Sequence, residues 1–151
     1  MTSSLVNRHQ TKQLDVQLLR EGIVESTHVA HVVVCDSRGR NLSVAGNPEM
    51  GTFIRSALKP FQALAVTSAG VLERFELDDK DLAIMCGSHR VTMEQVRQAF
   101  HILWKADIDP TALQCPTPPQ RKSPLEQNCS GKHAGMLAVC QQRNWPLESY
   151  L

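Results

Sequence analysis

Apolar residues follow a strand-like pattern from Leu14 to Gly46 and recur at helical spacing from Leu58 onward, so one chain has to build both a sheet and packed helices. In the first part, DVQLLREGIVES leads through HVAHVVVCD to SRGR and NLSVAG. The β-branched HVVVC core and the Gly39 turn predict an antiparallel hairpin at about 28–45. Residues 1–13 are polar and aperiodic and read as a flexible arm, and 14–151 as one domain portion.

In the second part a helix is expected from about Leu58 to Ala69, with Leu58, Phe61, Leu64, Ala65 and Leu72 on one stripe and Gly70 ending it. A shorter helix follows at 78–82, where acids sit in the first turn, and LAIMC reads as a short buried segment. Met93–Ala106 is the clearest amphipathic helix, aligning Val96, Phe100, Leu103 and Trp104. Five prolines break up 107–125, a long irregular loop of the kind that often carries function. A last helix is expected from about Gly131 to Asn144, burying Met136, Leu137 and Cys140, and Pro146 opens another inside which the sequence stops. That ending reads as the front part of a larger domain.

Charge excludes some functions. Sixteen basic and fifteen acidic side chains leave a formal net charge of +1, which gives no electrostatic case for nucleic acid or an anionic membrane. The longest apolar run, around Val32–Cys35, is far too short to span a bilayer. The first thirteen residues lack a secretory h-region, so a cytoplasmic location is expected. Five cysteines without CxxC spacing do not form a disulfide framework, and Cys35 and Cys140 read as buried small hydrophobes.

Three short motifs carry chemistry. In RSALKP, Ser56 and Lys59 stand three apart, which places both on one face of a helical turn. A desolvated lysine can take the serine proton and make the hydroxyl a nucleophile, although a solvated helix start fits the same residues. In CGSH, Ser88 and His89 follow an apolar run, as in a turn exposing a hydroxyl at a site rim or in an ordinary turn with a hydrogen-bonded histidine. In NCSGKHAGML, Cys129 and Lys132 are three apart where a helix begins, an environment that suits an anion and lowers a thiol pKa. Ser130 there could equally cap the helix. A phosphate-binding loop is excluded, because His133 follows Gly131-Lys132 and Glu126 stands where that motif needs glycine.

Taken together, RSxxKP, SH and NCSGKHAGML, with VES-x-H at 24–28, DSRG at 36–39 and ALQC at 112–115, resemble the L-asparaginase II family over roughly 14–151. The resemblance implies an α/β chain with a serine β-lactamase-like fold, an antiparallel sheet and flanking helices, incomplete here. It implies deamidation of L-asparagine to L-aspartate and ammonia, with Ser56 as nucleophile, Lys59 as its base and Ser88 as the serine of a second Ser–Lys pair. It further implies Cys129 and Lys132 as two of three zinc ligands, and a homodimer in the complete protein. Arg55 and His89 are the expected substrate contacts; for Arg55 the alternative is a salt bridge on a strand.

Two departures accompany the likeness. Where the family follows SH with a Gly-Glu pair and a later histidine, this chain has Val91, Thr92 and Gln95, so a backbone turn needing positive φ would be strained. The family's third zinc ligand and second lysine come from a C-terminal half, so the chain alone is expected to be inactive or very weak. Competing expectations are a β-lactamase-like or glutaminase acyl hydrolase, and a non-catalytic remnant or regulatory module that binds asparagine without turnover.

Overall fold

A computed structural model describes residues 9–151, which divide after Phe53 into two compact units, each taken by itself. The expected arm lies mostly outside the described residues, but its end, His9–Thr11, is a strand (β1). Leu14–Arg20 (β2) and Ile23–Ala30 (β3) pair antiparallel. Glu21 and Gly22 join them, both at positive φ (51° and 81°), the two-residue turn whose twist matches a hairpin. Val32–Cys35 (β4) and Asn41–Ala45 (β5) form the hairpin expected near 28–45, and β1 adds parallel to β5, giving the order β1-β5-β4. Its turn is built by Asp36, whose Oδ1 accepts the Arg38 and Arg40 N–H groups, while Gly39 supplies φ 73°. Cys35 is exposed rather than buried: it closes an edge hairpin, and its thiol donates to Asn41 Oδ1.

The second unit is helical: Lys59–Ser68 (α1), Val71–Arg74 (α2), Asp79–Cys86 (α3), Met93–Lys105 (α4) and Ser130–Arg143 (α5). The chain is thus mixed α and β. A 3-10 turn, Arg55–Leu58, runs directly into α1, with Pro60 in the first turn where its missing N–H costs nothing. Gly70 (φ 74°) ends α1 as expected. LAIMC is not a separate segment but the body of α3, which starts at a reciprocal cap between Asp78 and Asp81.

Helix α5 packs against α1, α3 and α4 and is buried along most of its length. Its glycines set that closeness. A Cβ on Gly131 would run into the Ile84 carbonyl, and one on Gly135 would lie 2.7 Å from Met85 Sδ. Met85, Ile102, Leu103, Leu137 and Val71 are fully buried around it, and Cys140 is buried as expected. The stripe expected on α1 is turned the other way. Phe61 is 64% exposed and Leu64 is also exposed, while Lys59, Ala63 and Val66 face inward. On α4, Leu103 is buried but Phe100 and Trp104 are exposed; the inward face is Ala99, Ile102, Leu103 and Ala106. The proline-rich loop holds two 3-10 turns, Pro110–Ala112 and Pro124–Glu126, and Pro146 precedes a third at Leu147–Ser149. Among the described residues no helix is long and apolar enough to cross a membrane.

Candidate active site

The 3-10 turn into α1 holds Ser56 and Lys59 on one side, as their spacing predicts. Lys59 Nζ lies 3.3 Å from Ser56 Oγ. The end of α3 brings Ser88 to the same amine, 2.6 Å away, and Ser88 Oγ lies 3.1 Å from Ser56 Oγ. The three polar atoms therefore close a triangle. Lys59 is only 2% exposed, whereas both serines stand in the open, so a reactant can reach the hydroxyls while the amine stays covered. Among the described residues no carboxylate pairs with Lys59. A cavity of about 360 Å³ opens beside Ser88, lined by Lys80, Ile84, Gly87, Glu94 and Gln98 among others. That volume falls in the range of small-molecule sites.

Arg55 begins the turn with φ 47°, a conformation non-glycine residues rarely hold outside constrained sites. It is exposed, sits on the 3-10 turn rather than on a strand, and forms no ion pair among the described residues.

His89 is 6% exposed, and both ring nitrogens are engaged within the chain. Nδ1 accepts the Val91 N–H at 3.1 Å, and Nε2 lies 2.9 Å from Ser130 Oγ. Burial, reinforced by the Lys59 charge, holds the imidazole below its ordinary pKa. Val91 has φ 62°, so the residue standing in place of glycine does adopt the left-handed conformation. Thr92 and Gln95 are spent on a reciprocal cap at the start of α4: Gln95 donates its N–H to Thr92 Oγ1 and its Oε1 accepts the Thr92 and Arg90 N–H groups.

Cys129 precedes α5 and Lys132 lies in its first turn, both half-buried. The Cys129 thiol donates to Asn128 Oδ1 at 3.3 Å. Among the described residues no three His, Cys, Asp or Glu side chains gather as a metal cluster. Two donors of this kind do not by themselves fit a zinc ion, which takes three or four protein ligands. Ser130 is not the cap that its position suggests: Cys129 precedes the helix without a side-chain cap, and Ser130 Oγ donates to Leu125 O at 2.8 Å. Its signal in the sequence is only a small hydroxyl beside Gly131, where α5 is tightly enclosed. His133 is buried and bonds Tyr150 Oη at 2.8 Å; burial, with the charges of Lys132 and Lys59 adding, pushes its pKa down to about 4.

A family model described as L-asparaginase II matches residues 16–151. No curated protein matches the chain.

Proposed function

The chain belongs to the L-asparaginase II family, and from that premise we propose that it deamidates L-asparagine to L-aspartate and ammonia by acyl transfer through Ser56. One observation carries the reading: Ser56, Lys59 and Ser88 converge through three mutual contacts of 2.6 to 3.3 Å. When Lys59 has given up its own proton, it can accept one from Ser88 as Ser88 Oγ accepts the proton of Ser56, so the Ser56 oxygen attacks the side-chain amide. The proton returns to the departing nitrogen, ammonia leaves, and an ester to Ser56 remains. Water then attacks the ester with the same relay as base, releasing aspartate and restoring Ser56.

Arg55, exposed and without an ion pair among the described residues, is the proposed partner of the substrate carboxylate. The hydroxyl and amine three apart at a helix start also support a serine β-lactamase-like fold. Ammonia release from L-asparagine tests the reading. Weak release is expected from the wild-type chain, and it should fall to background in Ser56→Ala or Lys59→Ala. Activity surviving Ser56→Ala would sink it. Preferential turnover of L-glutamine, or acylation of Ser56 by a β-lactam, would move the substrate and keep the nucleophile.

A further inference from the structure

Ser88 lies in the irregular stretch Gly87–Val91 between α3 and α4, where no helix or strand holds its backbone. Its hydroxyl is nevertheless 2.6 Å from a buried amine on another element. The next residue supplies the anchor. The His89 N–H donates to Asn128 O at 3.0 Å, and the ring meets Ser130 Oγ at 2.9 Å. The direction of the ring contact follows from its neighbours. Ser130 Oγ gives its hydrogen to Leu125 O, so it accepts from the ring, and Nε2 carries the proton. Nδ1, accepting from the Val91 N–H, carries none. The imidazole is thus neutral and in one tautomer, with both nitrogens occupied and nothing left for a ligand.

We infer that His89 is a positioning residue: it fastens the Ser88 turn to the start of α5 and so keeps the Ser88 hydroxyl within reach of Lys59 and Ser56. This rests on the proposed reading of those three residues, and it moves His89 from contacting substrate to holding the relay. It also ties the Ser88 turn to the segment that bears Cys129 and Lys132. A displaced hydroxyl breaks the proton path while leaving ground-state binding alone.

His89→Ala and Ser130→Ala are the test, with His89→Gln as the conservative variant whose amide can still donate to Ser130. In steady-state deamidation both truncations are expected to lower kcat about 10- to 100-fold with KM changed less than about twofold, as for a misplaced catalytic group. Gln should recover part of the loss. Labelling of Ser56 by a fluorophosphonate reads the same alignment without turnover and should slow in parallel. Ser130→Ala leaves the ring in place and keeps the test usable if His89→Ala does not fold. A raised KM at unchanged kcat would return His89 to substrate contact, and folded truncations with wild-type kcat and labelling would also overturn the inference. Failure of the asparaginase reading looks different: the wild type labels at Ser56 but releases no ammonia, and labelling rates alone then decide. A wild-type Ser56 that does not label overturns both.

Discussion

Val91 holds a branched side chain at φ 62°, which costs about 1–2 kcal/mol for a residue of this type. Glycine removes that strain but loses about 0.5–1 kcal/mol more chain entropy on folding. Val91→Gly is therefore expected to stabilise the chain by up to about 1.5 kcal/mol, raising Tm by up to about 6 °C. Thermal melts should show it, and an unchanged or lower Tm would mean the turn is not strained. Two residues away, His89 sets a pH dependence. Its folded pKa is depressed, so the unfolded chain, with histidine near its ordinary value of about 6.5, binds the extra proton. Stability contributed by neutral His89 is present at higher pH and is lost as pH falls below about 6.5 toward the folded pKa. His133, held to about 4, adds to the same slope. Urea midpoints measured across mildly acidic pH should fall less steeply in His89→Gln than in the wild type; equal slopes would remove His89 from the titration. Glycine's absence at 91 and the Ser56–Lys59 pair were both legible at this scale, because each depends on a single backbone angle or one helical turn. The approach of Ser88 to Lys59 was not, since it joins residues 29 apart through tertiary packing.

At the scale of elements, the site depends on how α3 meets its neighbours, since Ser88 follows directly from that helix. Asp81 is fully buried. Its Oδ1 accepts Gln98 Nε2 at 2.6 Å and His101 Nδ1 at 3.0 Å from α4, while Oδ2 caps the helix through the Asp78 N–H. Asp81→Ala strands those donors and should cost about 3 kcal/mol in denaturant unfolding. A loss below about 1 kcal/mol would mean that water replaces the carboxylate. On the other side, Gly131→Ala sets a methyl against the Ile84 carbonyl, a backbone atom that cannot rotate away. It should cost about 2–3 kcal/mol by overpacking and shift the end of α3, lowering ammonia release beyond the loss of folded protein. The same close packing explains why α1 turns its large apolar stripe outward. Size and apolarity point to Phe61 and Leu64, but α5 presents Ala134, Gly135 and Ala138, and such a surface admits Ala63 and Val66 rather than aromatic rings. Periodicity locates a helix, as it did for α1, α4 and α5. Which face turns inward depends on the small residues of a partner that periodicity does not reveal.

For the whole molecule, the two units differ in how much apolar surface each encloses. The buried core cluster runs from Ala63 to Tyr150 and lies wholly in the helical unit. In the described part of the strand unit, Val44 is the one buried apolar residue, while Leu14, Val16, Leu18, Leu19, Ile23, Val24 and Val29 are all exposed. A two-stranded sheet and a small three-stranded sheet with so little enclosed surface are marginal on their own, whereas a helical layer around a filled core is not. The relay also lies in the helical unit, because Ser56, Lys59, Ser88, His89 and Ser130 all fall after residue 53. Residues 54–151 expressed alone should therefore keep their helical circular dichroism and melt cooperatively, and fluorophosphonate labelling of Ser56 should persist. Residues 1–53 alone should show no cooperative transition. Loss of the cooperative melt from 54–151 would show that the helical core draws on the strands for its stability. Loss of labelling with the melt intact would show that the strands act on the relay rather than on the fold.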